Sequence, residues 1–407
     1  MPSLSDRLKS LGVQLGSDKT PQAKGARKFP VESLLEGELI TTPHGEIFQV
    51  DSHFPDDHQH GNTFLDLSAP LDLISAWARD ERIADYSPDQ FAFLDTETTG
   101  LAGGSGTYAF MVGVGRFEED GFHLAQFFMR DPSEEPALLH AVEHFLAPCE
   151  TVVSFNGKSY DLPLLQARYI TNGWPFPLQA TAHLDLLHLA RRLWRDRLPS
   201  RTLAYLEEHI LEHARTEEDT PGYMIPELYF DYLRSGDARP LKGIFYHNAM
   251  DILSLAGLTR HIAHLLADPL DGRVAHALDL AAIGKLNEDL GYLDQAARIL
   301  ELSLEYEMPG DARKQVMRRL SFIHKRRGEM PLALGLWWQA AADREIYAHE
   351  ELAKYYEHTE KNYKEALRWT DAALAILGMP GTSITDKLQW EAPLKHRQNR
   401  LHQKLDR

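Results

Sequence analysis

Two acidic residues at the end of an apolar segment are close enough in sequence for their carboxylates to act as a pair. Asp95 and Glu97 end the run FAFLDTE and stand two positions apart. In a strand, side chains at that spacing point to the same face, so the two carboxylates would repel each other. A divalent cation between them relieves the repulsion, because hard cations take carboxylate oxygens as ligands. A solvated strand end is the alternative interpretation, and these two residues alone leave both open.

A third acid comes after a turn that carries a cation and an amide. In TVVSFNGKSYDLPLL, Asp161 follows a short apolar run, Asn156 and Lys158. Together these side chains offer a donor and a positive charge beside a carboxylate, which suits a phosphate. The alternative is that Asp161 only caps the next helix, with Pro163 tolerated in its first turn.

A histidine and a fourth acid share a predicted helix. His247 and Asp251 lie four positions apart in LKGIFYHNAMDILSLAGL, a spacing that places both on one helical face. The apolar neighbours indicate burial, and a buried aspartate needs a partner or a metal ion. A neighbouring histidine can accept a proton near neutral pH. A purely structural His–Asp pair is the alternative.

The segments around these residues predict a layered α/β domain. ELITTPHGEIFQV reads as a hairpin around Pro43–Gly45, and FAFLD, YAFMVGVGRF and FHLAQFFM as an antiparallel meander of three strands. TVVSF is a further strand. The segments around residues 134–147, 161–170, 184–194 and 202–211, and from Leu241 to Leu266, have helical periodicity. Strands first and helices afterwards predict one sheet covered by helices.

Residues 274–380 are predicted to be helical and repetitive. Gly291, Gly328 and Lys361 each precede an alanine by five positions, and those alanines are Ala296, Ala333 and Ala366. Their spacing resembles the tetratricopeptide repeat, which has a period of about 34 residues. Small Gly284 and large Leu300 and Trp337 fit that pattern, whereas Thr370 departs from it. An unrelated helical bundle is the alternative, since small residues occur at helix crossings in any bundle.

Bulk properties limit the class of protein. The 407 residues carry a net charge of −17, which argues against tight, non-specific nucleic-acid coating. A single cysteine, Cys149, fits a reducing compartment. We expect a cytoplasmic protein, because the chain has neither a signal peptide nor a membrane-length apolar stretch. The predicted regions are a flexible segment 1–28, a small β-rich region 29–86, the α/β domain 87–268, the repeats 274–380 and a tail 381–407.

The three motifs, in this order, resemble those of the DEDD exonuclease superfamily, which has a ribonuclease H-like fold. They are Asp95-Thr96-Glu97, Asn156…Asp161 and His247…Asp251. The runs FLDTETTGL, GGSGTYAF and SFNGKSYDLPLL are more similar still to the YprB-like proteins of bacteria, which join this domain to a tetratricopeptide tail. The resemblance to the superfamily extends over the predicted α/β domain and implies a mixed sheet flanked by helices.

The superfamily implies two divalent cations, Mg²⁺ or Mn²⁺, with Asp95, Glu97, Asp161 and Asp251 as ligands. Such a pair holds a scissile phosphate and activates a water. His247 would take the proton of that water. Thr98, Asn156 and Lys158 would position the phosphate or the terminal nucleotide.

One spacing departs from the superfamily. Its histidine-type members place His five residues before the last aspartate, and its tyrosine-type members place Tyr four before it. Here His247 is four and Tyr246 five before Asp251. Helical geometry favours His247 as the base, because a residue five positions away swings off the shared face. Tyr246 stays the alternative.

Three further features have plainer interpretations. Asp185 fits a helix N-cap, although it lies near the site by family analogy. The basic stretch ARRLWRDRLPSR around Trp194 could bind a nucleic-acid backbone or form ion pairs with local acids. His53, His58 and His60 are predicted to lie in a loop without a metal, since no ordered ligand spacing accompanies them.

Three functions are consistent with the sequence. The first is a metal-dependent nuclease that acts on DNA or RNA, trimming ends. The second is a catalytically weak scaffold whose repeats bind a protein partner. The third is a phosphohydrolase for small nucleotides. Retention of four acids favours the first, because a pure scaffold has no need to keep buried carboxylates together.

Overall fold

The computed structural model of the chain describes residues 29–100, 106–272 and 274–406. The chain forms two compact units. The first contains the residues up to Arg191 together with Leu198–Ala267. The second contains Arg192–Arg197 and Asp268–Arg407. The predicted flexible segment 1–28 and the first three residues of the motif GGSGTYAF lie outside the described residues. Among the described residues, none of the helices combines the length and apolar character needed to cross a lipid bilayer.

A mixed seven-stranded sheet forms the centre of the first unit, in the order β1-β2-β7-β6-β5-β8-β9. β3 and β4 form a separate two-stranded ribbon. The strands are β1 (Glu38–Thr42), β2 (Gly45–Phe54), β3 (Gln59–His60), β4 (Thr63–Phe64), β5 (Phe91–Thr98), β6 (Ala109–Glu118), β7 (Gly121–Phe128), β8 (Thr151–Ser154) and β9 (Ala182–Asp185). The predicted β1–β2 hairpin and the antiparallel β5–β6–β7 meander are confirmed, and β8 and β9 continue the sheet in parallel.

Two of the four strands between residues 29 and 86, β1 and β2, extend the central sheet. β2 pairs with β7 along its length, with His53 opposite His123, and its Ile47 and Phe48 are fully buried. The predicted loop over His53, His58 and His60 is therefore wrong in part. His53 lies in β2, which continues further than the local sequence pattern indicates, and His60 lies in β3 of the separate ribbon.

Eight helices among the described residues begin in the first unit. They are α1 (Asp72–Ala78), α2 (Arg82–Asp85), α3 (Glu135–Leu146), α4 (Asp161–Thr171), α5 (Leu186–Trp194), α6 (Leu203–His209), α7 (Ile225–Ser235) and α8 (Leu241–Ala267). α3 packs on β1, β2, β6 and β7, and α8 packs on β5, β6 and β7. Short 3₁₀ turns at Val31–Ser33, Pro88–Gln90, Pro132–Glu134 and Gly222–Met224 connect the elements. The predicted sheet with flanking helices is thus confirmed.

The second unit is all-helical, as predicted. Its helices are α9 (Ala277–Leu290), α10 (Leu293–Glu305), α11 (Gly310–Arg326), α12 (Met330–Ala342), α13 (Ile346–His358), α14 (Tyr363–Leu377) and α15 (Ile384–Leu405). Gly291, Gly328 and Lys361 have φ of +88°, +80° and +52° and occupy equivalent turns before α10, α12 and α14. The three alanines that follow them at the predicted spacing are fully buried. Their assignment as tetratricopeptide repeats remains a prediction.

α9 and α10 approach closely at Gly284. A Cβ at this position would lie 2.6 Å from the Leu300 side chain, so a hydrogen is all that the contact admits. A Cβ built on Gly335, in the middle of α12, would meet no atom within 4 Å. The two glycines therefore have opposite expected responses to the same substitution.

Gly284→Ala should destabilise the helical unit by about 1–3 kcal/mol, because the added methyl overpacks the α9–α10 contact. Gly335→Ala, the matched control, should stabilise α12 by up to about 1 kcal/mol through helix propensity. Urea unfolding followed by tryptophan fluorescence measures both. Equal midpoints for the two variants would contradict the packing described here.

Candidate active site

β5 carries the first two acids into the interior of the first unit. Asp95 lies opposite Gly113 of β6 in the antiparallel register. Glu97 is only 8% exposed, and its Oε1 atom is buried without a hydrogen-bond partner among the described residues. An unpaired buried carboxylate oxygen is costly, so this geometry requires a compensating cation or a proton.

Thr96, the residue between those acids, joins β5 to the start of α4. Its hydroxyl donates a hydrogen bond of 2.5 Å to Oδ1 of Asp161. Asp161 is the first residue of α4 and is not its N-cap. The structure therefore brings the third predicted acid to the end of β5.

A buried amide holds α8 against β5. Asn248 is fully buried and donates from Nδ2 to Oδ2 of Asp95 at 2.9 Å. Its own Oδ1 accepts from Nε2 of Gln126 at 2.9 Å. Gly113 makes room for this amide, because a Cβ there would lie 2.1 Å from Asn248 Oδ1. Asp251 follows Asn248 by three residues and so lies on the same helical face.

The pKa values indicate that the four acids lie within electrostatic reach of one another. Burial raises the pKa of Asp95 well above its ordinary value, and repulsion from Asp251 and Asp161 adds to this. Burial likewise raises the pKa of Glu97, with further repulsion from the other three acids. Burial raises the pKa of Asp161 to about 6. The structure therefore brings the four predicted acids within range of mutual repulsion, and their role as metal ligands stays a prediction.

An arginine that the sequence patterns did not single out balances part of this charge. Arg215 donates to Oδ1 of Asp251 and, at 2.6 Å, to Oε2 of Glu207. Burial lowers the pKa of Arg215, but attraction by Asp251 and Glu207 outweighs burial and raises it. Asn248 was also missed, although an amide within a strongly apolar helix is a signal of a buried hydrogen bond.

His247 and Tyr246 point to different partners. Nδ1 of His247 lies 2.8 Å from Oδ1 of Asp219 and 3.2 Å from an Arg215 nitrogen. Its Nε2 lies 3.7 Å from Oδ2 of Asp251. The Tyr246 hydroxyl instead accepts a hydrogen bond of 3.1 Å from the backbone nitrogen of Thr216. Of the two candidate bases, His247 is the one beside the acids.

The residues expected to bind a phosphate lie on the turn after β8 and at the end of β5. Asn156 has a φ of +67°, and Asp185 accepts from the backbone nitrogens of Asn156 at 2.8 Å and Lys158 at 3.2 Å. Asp185 also accepts from Leu187 at the start of α5, which fits its expected capping role. The Lys158 side chain is exposed. Thr98 donates to the carbonyl of Gly100 at 3.1 Å.

The basic stretch around Trp194 serves the helical unit. Residues 192–197 belong to the second unit. Arg192 pairs with Asp289, Arg197 pairs with Asp279, and Trp194 is fully buried. Of the two interpretations offered by the sequence, ion pairing with acids is the one observed.

The four acids meet the chemical requirements of a divalent-cation site. They supply oxygen donors alone, they repel one another, and one buried oxygen has no hydrogen-bond partner among the described residues. Their spacing is wider than that of two other groups, His53/Glu118/His123 and His60/Glu207/His213, whose possible ligand atoms all lie within 4.8 Å.

Comparison with known proteins defines the class. A family model described as RNase_H superfamily matches residues 92–263, a range that contains all four acids. The protein YprB of Bacillus subtilis is 31% identical over 347 residues, which are 82% of this chain and 82% of that protein. The chain therefore belongs to the YprB family, and the predicted membership is confirmed.

A solved structure overlaps with part of the chain. The family B DNA polymerase of the archaeon Pyrobaculum calidifontis matches with a TM-score of 0.36 and 15% sequence identity. The overlap covers 54% of this chain and 29% of the polymerase chain.

Without metal, the wild type should lose stability relative to Asp161→Asn as pH rises from 4 to 8. The folded-state pKa of Asp161, about 6, exceeds its ordinary value of 3.8, so the folded state holds a proton that the unfolded state releases. This contribution to the free energy of unfolding is fully present below the ordinary pKa of 3.8. It falls by about 3 kcal/mol as the pH rises through the folded-state pKa of about 6. Urea unfolding of both proteins in EDTA measures the difference, and a difference independent of pH would refute it.

Proposed function

We propose that this protein is a divalent-metal-dependent nuclease that hydrolyses phosphodiester bonds of DNA or RNA, with exonucleolytic action expected. The observation that carries the proposal is the meeting of four mutually repelling carboxylates from β5, α4 and α8, of which Glu97 is buried and the other three are partly buried. They meet within the segment matched by the RNase_H superfamily model. A protein without metal chemistry would gain nothing from this arrangement, which is unfavourable by itself.

Asp95, Glu97, Asp161 and Asp251 would hold the cations, with Mg²⁺ or Mn²⁺ as the ions suited to oxygen donors. Two such ions, when bound, supply positive charge that stabilises the phosphoryl oxygens and makes an attacking water more acidic. Asn248 fixes the orientation of Asp95 through its 2.9 Å hydrogen bond. Thr96 fixes Asp161 in the same way.

His247 is proposed as the general base. If its Nδ1 carries the proton and donates to Asp219 at 2.8 Å, Nε2 keeps a lone pair that can accept a proton from water. Asp219 would then act as a positioning residue, since it sets the tautomer of the imidazole. In this tautomer the Arg215 nitrogen 3.2 Å from Nδ1 does not form a hydrogen bond with it, because both groups are donors.

The turn between β8 and α4 is proposed to receive the phosphate. Asp185 accepts hydrogen bonds from the backbone of this turn. The exposed Lys158 amine and the Asn156 side-chain amide are therefore left as donors for an anion. Thr98 stands on the neighbouring strand end. These three residues would orient the substrate and take no part in bond breaking.

A scaffold function remains the second candidate. The second unit exposes large apolar side chains on its helices, Leu332 and Trp338 among them, and such side chains can dock a protein segment. This candidate predicts that the four acids are dispensable. The same experiment therefore separates the two functions.

Wild-type protein with Mn²⁺ or Mg²⁺ should degrade labelled single- or double-stranded DNA or RNA, read on a sequencing gel. Asp95→Asn should abolish degradation, because it removes a cation ligand. Asp89→Asn, at an exposed acid just before β5, is the matched control and should retain full activity. If wild type and both variants were equally inert with every substrate and metal, the scaffold candidate would replace the nuclease.

His247→Ala should slow turnover by about 10²- to 10⁴-fold, the range expected for loss of a general base. Tyr246→Phe should leave the rate within about twofold, because the hydrogen bond of its hydroxyl among the described residues comes from the Thr216 backbone. Asp219→Asn should slow turnover and change the pH profile of kcat while KM stays the same. If Tyr246→Phe lost activity and His247→Ala kept the wild-type rate, Tyr246 would replace His247 as the proposed base.

A further inference from the structure

Three side chains from separate segments meet at a second cluster in the first unit. His60 lies in β3, Glu207 in α6, and His213 in the chain that follows α6. Glu207 Oε1 lies 3.7 Å from His213 Nε2 and 4.0 Å from His60 Nε2. The two imidazole rings stack with their centroids 4.1 Å apart. All three possible ligand atoms lie within 4.8 Å of one another.

Two of these atoms are buried without a hydrogen-bond partner among the described residues. They are Oε1 of Glu207, a residue only 1% exposed, and Nε2 of His213. Their separations are too long for hydrogen bonds and slightly longer than the roughly 3.4 Å between ligand atoms bound to one ion at about 2.0–2.1 Å. The Ser254 hydroxyl lies 2.9 Å from His60 Nε2 and also interacts with the Glu207 carboxylate, so it is a further oxygen beside the cluster.

The backbone around the cluster is fixed by contacts that do not involve these side chains. Asn62 donates from its backbone nitrogen to the carbonyl of Leu211 at 2.7 Å and from Nδ2 to the carbonyl of Ile210 at 3.1 Å. Gly61 has a φ of +63°, and a Cβ there would lie 1.9 Å from the Leu211 oxygen. The β3–β4 turn is therefore docked on the end of α6, which holds His60 opposite Glu207.

The charge state of the two imidazoles also suits a cation, although burial raises the pKa of Glu207. Burial lowers the pKa of His60 to about 3 and lowers that of His213 as well, so both imidazoles are neutral near pH 7, the form that binds metals. Arg215 repels a cation, but three carboxylates, Glu207, Asp219 and Asp251, surround that guanidinium. The second oxygen of Glu207 is taken by Arg215, which leaves Oε1 for an ion.

We propose that His60, Glu207 and His213 bind one zinc-class transition-metal ion, in a site separate from the four carboxylates. Two imidazoles and a carboxylate are a donor set typical of Zn²⁺, with water or the Ser254 oxygen as the fourth ligand. Mg²⁺ prefers oxygen donors and would not compete. The ion would hold the β3–β4 ribbon on α6 and α8. Because Arg215 binds both Glu207 and Asp251, it would also hold Arg215 in place.

The other group of possible ligands does not carry the same inference. In the cluster of His53, Glu118 and His123, each nitrogen of His123 already has a carboxylate partner, Asp51 at 2.7 Å and Glu118 at 3.1 Å. Glu118 is also paired with Arg116. Ordinary ion pairs account for that group.

Titration of the full chain with Co²⁺ in excess Mg²⁺ tests the site, after removal of bound metal with a chelator. Wild type should take up one Co²⁺ with the strong visible absorption of a tetrahedral nitrogen–oxygen site, and one Zn²⁺ should displace it. Zn²⁺ should also raise the Tm. His213→Ala should weaken Co²⁺ binding by at least about 100-fold, since even supporting residues of metal sites contribute about 10- to 100-fold.

Two controls distinguish this site from the alternatives. His209→Ala, an exposed histidine on the same helix as Glu207, should bind Co²⁺ like wild type. Asp95→Asn should also bind Co²⁺ normally, whatever its effect on hydrolysis, so failure of the nuclease proposal leaves this result unaffected. The proposal is overturned if wild type shows no tetrahedral Co²⁺ spectrum. It is equally overturned if His213→Ala keeps that spectrum or Asp95→Asn loses it.

Discussion

Repulsion between buried carboxylates at the end of β5 is the constraint on which the first unit depends. Like charges in a low-dielectric interior disfavour the folded state unless hydrogen bonds, cations or protons offset them. The surrounding residues supply hydrogen bonds for that purpose: Asn248 to Asp95, Thr96 to Asp161 and Arg215 to Asp251. The three donors come from different parts of the chain, so the hydrogen bonds to the acids also link β5, α4 and α8.

Small residues make this arrangement possible. Gly113 lies across from Asp95, and the space that its missing side chain leaves is filled by the Asn248 amide. The amide in turn is held by Gln126 on β7. Two strands, β5 and β7, and one helix are thereby connected through a single polar network, for which β6 leaves space at Gly113. Such a network favours one packing arrangement, because each alternative would leave a polar group without a partner.

The sequence predicted those parts of the fold and site that depend on local periodicity. Alternation around Pro43–Gly45 and the spacing of Asp95 and Glu97 are strand properties, and the His247–Asp251 spacing is a helix property. The recurring turns at Gly291, Gly328 and Lys361 repeat a short local signal. Pairing of β2 with β7 could not be predicted in the same way. The two strands are separated in the chain by β3 to β6, and nothing in the local pattern of either one selects the other as its partner.

Arg215 and His60 show the same limit at the site. Arg215 lies in a polar segment without helical or strand periodicity, and its partner Asp251 comes from the middle of α8. His60 lies close to Glu207 and His213, which follow the last strand of the central sheet in the sequence. No local pattern connects such residues. The resemblance to the DEDD superfamily located the four acids because their motifs are written in the sequence, whereas the arginine and the histidines become visible only in three dimensions.

The pairing of Arg215 with Asp251 provides a counterion that is part of the polypeptide itself. A protein built this way depends less on divalent ions for its stability, since the guanidinium already offsets a share of the negative charge. Under the proposed function, an arriving ion must compete with that guanidinium for the carboxylate. Such competition weakens retention of the ion and makes the working fraction of the protein follow the supply of free metal.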